Sequence, residues 1–191
     1  MQIWTGLGNP GPKYALHRHN VGFMACDVIA EMHEFGPVQK KFSGWVQEGC
    51  VGSAKVLLLK PATFMNESGR SVGEALRFYK LDTDALTVFH DELDLAPFKV
   101  KLKQGGGHAG HNGLRSIDQH VGAEFRRVRI GIGHPGHKER VNGHVLSNYA
   151  KAEMDDLAEM LAAIGAEARW LAENDAPRFM SDIALRQQDA T

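Results

Sequence analysis

Cysteine is scarce in this 191-residue chain, with only Cys26 and Cys50. Two are too few for a disulfide framework, and neither belongs to a C-x-x-C pair of the kind that binds zinc or exchanges electrons. Both are expected to be buried free thiols, because unpaired cysteine behaves as a small hydrophobe. Long apolar runs are missing too. No stretch approaches the roughly 18 residues that a membrane-spanning helix needs. Met1-Gln2-Ile3-Trp4-Thr5-Gly6 lacks the basic start of a secretory leader, so a cytoplasmic location is expected. Nor does one sign of charge dominate. Lys and Arg number 22 against 23 Asp and Glu, for a net charge of −1, which excludes a uniformly basic nucleic-acid coat and a disordered acidic tail. Repeats, low-complexity tracts and Pro/Ser-rich linkers are also absent. With 43% apolar residues, a single domain over residues 1–191 can bury its own core, and nothing demands more than a monomer.

What is present alternates between short apolar runs and helical periodicity, the pattern of an α/β domain with a twisted mixed sheet flanked by helices. Ile3 to Leu7 reads as a first strand. Val21, Met24, Val28, Met32 and Phe35 then recur three or four apart behind Asn20, a good helix cap. Trp45–Val51 and Lys55–Leu59 read as a hairpin about Gly52-Ser53, and Val72, Leu76 and Tyr79 mark a second helix. Leu86 to Phe89 is a buried strand. Phe98 to Lys103 alternates, with Val100 and Leu102 on one face and Lys99, Lys101 and Lys103 on the other. Val128, Ile130 and Ile132 give a last strand. A long amphipathic helix from Met154 to Leu171 is expected to end at Pro177.

Charge is segregated along the chain. Between residues 99 and 144 nine basic side chains face three acids, whereas residues 151–191 hold four basic against nine acidic. One face for a polyanion, opposite a solvated acidic one, is the implied arrangement.

Gly6-Leu7-Gly8-Asn9-Pro10-Gly11 matches the G-x-G-x-x-G dinucleotide fingerprint, but Pro10 and Pro12 lack the N–H groups a pyrophosphate needs and no helix opens before Asn20. The turn instead offers the amide of Asn9, able to donate and accept. His17-Arg18-His19-Asn20 stands just before the first helix. His90-Asp91-Glu92-Leu93-Asp94 ends a buried strand in acids, and ligands of open α/β sheets gather at strand carboxyl ends, which favours Asp91 over Asp94. Phe64-Met65-Asn66 follows another strand. The densest motif is Gly105-Gly106-Gly107-His108-Ala109-Gly110-His111-Asn112-Gly113, whose glycines admit a ligand and which leads into a helix N-terminus suited to a phosphate or oxyanion. His108, His111 and a carboxylate of Asp91, Glu92 or Asp94 are the metal-binding alternative, although H-x-x-H here lacks the helical spacing of zincins. No G-x-S-x-G elbow exists and neither cysteine adjoins a histidine motif. A histidine activating water, a carboxylate orienting it and amides holding the scissile group is the economical scheme.

In order and spacing, Gly6–Gly11, Arg18-His19-Asn20, Thr63-Phe64-Met65-Asn66, His90–Asp94, Gly105–Gly113 and Arg129-Ile130-Gly131-Ile132-Gly133-His134-Pro135 resemble the bacterial peptidyl-tRNA hydrolase family. The resemblance runs from about residue 3 to 149 and covers the C-terminal helix only in general character. Ala62, where the family often has threonine, is a minor departure. The resemblance implies a single α/β domain that cleaves the ester between a peptide and the 3′ end of tRNA, without metal or cofactor. It makes His19 the general base and Asp91 its orienting partner, in the logic of a serine-hydrolase triad without the serine. Asn9 would distinguish blocked from free aminoacyl ends. Asn66, Asn112, Tyr14, Phe64 and His111 would contact substrate, and Lys103 and Arg129 would contact the tRNA backbone. An RNA-binding module that lacks turnover and a metal-dependent hydrolase built on His108, His111 and Asp94 are the competing readings.

Overall fold

The computed structural model describes residues 1–189. The first strand, β1 (Gln2–Gly6), occupies the middle of a seven-stranded sheet. After helix α1 (Val21–Met32) come β2 (Gln39–Lys41), β3 (Gly44–Val51) and β4 (Ala54–Pro61). Helix α2 (Ser68–Tyr79) leads to β5 (Leu86–Glu92) and β6 (Val100–Gln104), and α3 (Asn112–Val121) to β7 (Arg126–Gly131). The short α4 (Val141–Val145) and two longer helices, α5 (Met154–Ala172) and α6 (Ala176–Asp189), complete the described chain.

The strand order is β2-β3-β4-β1-β5-β7-β6. The four inner strands β4, β1, β5 and β7 are parallel, and β2, β3 and β6 are antiparallel additions at the edges. The sheet is therefore mixed, as the sequence implied. Inner strands read as continuous apolar runs because both faces are covered. Trp4, Leu58, Phe89, Val128 and Ile130 pack with α1, α5 and α6, while Ile3, Leu57, Leu59, Val88 and Phe125 pack with α2 and α3. Gly22 lets α1 lie directly on the sheet: a Cβ there would stand 2.2 Å from the Phe89 carbonyl oxygen. That close approach fixes the turn leading into α1 against the carboxyl ends of β1 and β5.

Several local expectations are corrected. Phe98 adopts a left-handed backbone (φ 67°), so the edge strand starts only at Val100. Pro177 does not end the long helix. Helix α5 stops at Ala172, Asn174 turns left-handed at φ 62°, and Pro177 lies in the first turn of α6, where its missing N–H costs nothing. Cys26 is buried, its thiol pushed up to about 12 chiefly by that burial, but Cys50 is exposed on β3 near the hairpin turn. Asn20 does precede α1, yet its side chain makes no capping bond. Among the described residues no helix is long and apolar enough to cross a membrane.

Candidate active site

The carboxyl ends of β1, β4 and β5 deliver three polar segments to one place, as expected where crossovers leave a parallel sheet. Asp91 is the next-to-last residue of β5, 4% exposed. His19 occupies a 3₁₀ turn, Arg18–Asn20, immediately before α1. Its Nδ1 stands 2.9 Å from both carboxylate oxygens of Asp91. Facing a carboxylate, Nδ1 must carry the proton, and Nε2 is left as a lone pair with no hydrogen-bond partner among the described residues. Burial opposes the charged form of His19, but the charge and hydrogen bond of Asp91 outweigh it and hold the imidazole pKa above its usual 6.5. Burial likewise pushes the Asp91 carboxyl up, and the two neighbouring histidines more than reverse this, holding it well below the carboxylate range.

The second histidine is His111. It is the N-cap of α3, and its Nδ1 accepts from the backbone N–H groups of Gly113 and Leu114. Those bonds leave the proton on Nε2, which donates to Asp91 Oδ1 at 2.8 Å. The rings of His19 and His111 lie 4.9 Å apart. Both nitrogens of His111 are thus used within the protein, so its polar atoms turn inward rather than toward a ligand. The expected open helix N-terminus is corrected for the same reason, since the ring of His111 already caps two of its first-turn N–H groups. His90 is buried beside them and pushed down to about 4, first by burial and then by His111, so it stays neutral.

Asn9 follows β1. Its Oδ1 accepts from the Met65 N–H at 2.9 Å, which fixes the orientation of the amide and leaves Nδ2 as a donor with no hydrogen-bond partner among the described residues. The backbone of Asn9 is bonded in both directions by the side chain of Asn20. This buried asparagine stands at the N-cap position of α1 but spends its side chain on Asn9 instead of on the helix. Phe64 (58% exposed) and Asn66 lie open on the loop after β4, and Asn112 is exposed at the start of α3. Among the described residues, neither the Asn66 nor the Asn112 side chain has a hydrogen-bond partner. Tyr14 is half-buried, edge-on to His17 at 5.3 Å with the Lys13 ammonium over its ring.

The basic stretch divides on inspection. Arg126 and Arg127 are buried clamps, the first on the Leu171 carbonyl at the end of α5 and the second on the carbonyls of Gly106 and Gly107. Arg129 pairs with Glu92 at 3.0 Å. Lys99, Lys101 and Lys103 are exposed.

The metal alternative is not assembled as the sequence suggested. Asp94 is exposed in the turn beyond β5, and the Nδ1 of His108 accepts from the Gly110 N–H. Among the described residues, the group whose ligand atoms fall within 4.8 Å is His19, Asp91 and His111. There the histidine N–H groups already point at the carboxylate, so a cation would have to break both bonds.

The family model of peptidyl-tRNA hydrolase matches residues 3–191. The chain belongs to the peptidyl-tRNA hydrolase family. It is 77% identical over 188 residues to the peptidyl-tRNA hydrolase of Erythrobacter litoralis, covering 98% of this chain and all of that protein. It is 76% identical over 190 residues to that of Novosphingobium aromaticivorans, with both chains fully covered. Among solved structures, peptidyl-tRNA hydrolase of Acinetobacter baumannii superposes with a TM-score of 0.88 at 41% identity, over 96% of this chain and 94% of that one. The match continues past residue 149, so the family extends through α5 and α6. The family's reaction is hydrolysis of the ester that joins a peptide to tRNA, which releases the tRNA, and the chain is a hydrolase of this kind acting on peptidyl-tRNA.

Proposed function

We propose that His19 is the general base of this ester hydrolysis. The observation that carries the reading is the fixed tautomer: with Nδ1–H donated to Asp91, Nε2 is the lone pair available to take a proton from water. Asp91, buried and ionised, stabilises the imidazolium as it forms. His111 adds a second donor to Asp91 Oδ1 and so helps to keep the carboxylate from turning.

The ester carbonyl is held by Asn9, whose free Nδ2 donates while its Oδ1 is tied to Met65. A blocked aminoacyl end presents an amide to this pocket, whereas the free ammonium of aminoacyl-tRNA would bring a charge that must be desolvated. Asn66, Asn112, Phe64 and Tyr14 contact the acyl and terminal-nucleotide parts of the substrate. Lys103 meets the tRNA backbone near the acceptor end, with Arg129 contributing less because Glu92 already neutralises it. The acting unit is a monomer of one domain over residues 1–191, working in the cytoplasm without metal or cofactor.

The test is hydrolysis of N-acetyl-aminoacyl-tRNA beside the unacetylated form, by wild type and His19→Ala, with and without chelator. Cleavage of the blocked substrate alone, lost with His19 and indifferent to chelator, is expected. Chelator sensitivity would replace the water mechanism by a metal one, and tight tRNA binding without cleavage would leave a binding module.

A further inference from the structure

The turn that carries His19 is only three residues long. A single 3₁₀ turn has almost no stability of its own, so whatever flanks it decides where the imidazole sits. One flank is the Asn20 amide on Asn9. The other is Arg18, the first residue of the turn.

The guanidinium of Arg18 is almost wholly committed. Nη1 donates to Ser147 Oγ at 2.8 Å and to the Asn148 carbonyl at 2.7 Å, with a longer contact to the Ser147 carbonyl. Nη2 pairs with Glu153 Oε2 at 2.7 Å, and the side chain is 12% exposed. That same carboxylate oxygen accepts from the Ala150 N–H, which fixes Glu153 in turn. The flat face of the guanidinium lies 5.1 Å from the ring centre of Tyr149. Backbone bonds run alongside: Arg18 N–H to the Ser147 carbonyl and Tyr149 N–H to the Leu16 carbonyl, both at 3.0 Å. Residues 147–153, more than a hundred positions away in the chain, thus form a wall behind the turn.

We infer that Arg18 is a positioning residue for His19, a clamp that fixes the catalytic turn against the Ser147–Glu153 segment. This rests on His19 being the base. A guanidinium bonded on both nitrogens to carbonyls, a hydroxyl and a carboxylate is not free to bind a phosphate, so its part in the reaction is geometric. Its planar fork supplies several directed donors at once, which a lysine ammonium cannot reproduce. Loosening the turn moves Nε2 relative to the Asn9 amide, and a displacement of about 1 Å can cost on the order of 10²-fold in rate.

The experiment measures kcat, KM and the pH profile for N-acetyl-aminoacyl-tRNA hydrolysis by Arg18→Ala, Arg18→Lys, Glu153→Gln and His19→Ala, with melting curves for each. Arg18→Ala should lose roughly 10- to 100-fold in kcat with KM within about twofold, and added guanidinium ion should restore part of it. Arg18→Lys should recover little. Glu153→Gln, which keeps the shape, should lose less than Arg18→Ala, because the carbonyl bonds remain. The acid limb of the pH profile should shift in Arg18→Ala, because His19 is then held less firmly against Asp91, with His111 and His17 as its other titratable neighbours. A raised KM with kcat intact would make Arg18 a substrate contact and overturn the proposal. So would a loss that tracks only the melted fraction, with no guanidinium rescue and an unmoved limb. Full activity in His19→Ala would overturn the base assignment itself, whereas an inactive His19→Ala beside a fully active Arg18→Ala would overturn the clamp alone.

Discussion

The side-chain amide of Asn20 pairs with the backbone of Asn9 in both directions, accepting from its N–H and donating to its carbonyl, each at 2.9 Å. The geometry is that of a strand bridge made with a side chain. It sets the distance between the segment bearing His19 and the amide that faces the ester, and Asn20 is only 2% exposed. Asn20→Asp keeps the acceptor but replaces the donor by an oxygen facing the Asn9 carbonyl. A buried unsatisfied group of this kind costs about 1–3 kcal/mol. We expect a lower melting temperature and a kcat reduced at least tenfold in the folded fraction, measured by thermal melts and single-turnover hydrolysis. Wild-type turnover in a destabilised Asn20→Asp would show that the bridge serves stability alone.

His111 carries two separable duties, and two variants separate them. Asparagine is a good N-cap, so His111→Asn retains the bonds to the Gly113 and Leu114 N–H groups but is too short to donate to Asp91. His111→Ala loses both. The alanine variant should be about 1 kcal/mol less stable than the asparagine variant, the usual worth of a cap. Both should lose a similar factor in kcat, because both remove the second donor to Asp91 Oδ1 and leave the carboxylate held by His19 alone. Denaturant melts and steady-state rates on the two proteins check this. Full activity in His111→Asn would remove His111 from the positioning of Asp91.

The architecture was legible because inner strands and amphipathic helices obey fixed periods. Ile3–Leu7 and Leu86–Phe89 could be read as short apolar runs, and Val100 and Leu102, like Val128, Ile130 and Ile132, from alternation. The ends were not, because they depend on single backbone conformations such as the left-handed Phe98 and Asn174. Helix α6 was missed because it buries only Phe179 and Ile183, too narrow a stripe to show as a period. His19 and Asp91, 72 positions apart, came together from motif resemblance together with the rule that strand ends collect ligands. What no local pattern could show is which polar atoms are already spent. Arg126 and Arg127 look like surface charge in the sequence and prove to be buried clamps, and both ring nitrogens of His111 are bonded within the protein. Hydrogen-bond partners distant in the chain decide such cases, and one sequence does not contain them.

Asp91→Asn tests the electrostatic part of the site through pH. A general base works only when neutral, so the rate should fall as pH drops through the His19 pKa. With Asp91 ionised, that pKa lies above the usual 6.5. In Asp91→Asn the attractive charge is gone while burial, which disfavours the imidazolium, stays. The acid limb of kcat/KM should therefore move to lower pH, below 6.5. The plateau should also drop, though by less than in His19→Ala, because the base itself remains. A limb that stays in place would mean that the titrating group is not His19.

Lys103 and Arg129 make opposite predictions from the same strand pair. They sit on β6 and β7, where Lys101 pairs with Arg129 and Lys103 with Arg127 across the antiparallel ladder. Alternate residues of a strand lie about 6.6 Å apart, so Lys101 and Lys103 can follow a phosphate backbone along the exposed edge. Each phosphate neutralised by a free cation releases counterion and contributes to the salt dependence of binding. Lys103 is exposed, whereas Arg129 is held by Glu92 at 3.0 Å and its side chain is only 25% exposed. Lys103→Ala should raise KM for tRNA-length substrates and flatten the slope of log kcat/KM against log salt by roughly 0.7–0.9. It should leave short ester analogues untouched. Arg129→Ala should change the salt slope less and instead unpair Glu92 beside the catalytic strand, so that its effect persists on short esters. If Lys103→Ala weakens both substrate classes equally, the edge strand is not the path of the tRNA backbone, and the lysines are solvated charge.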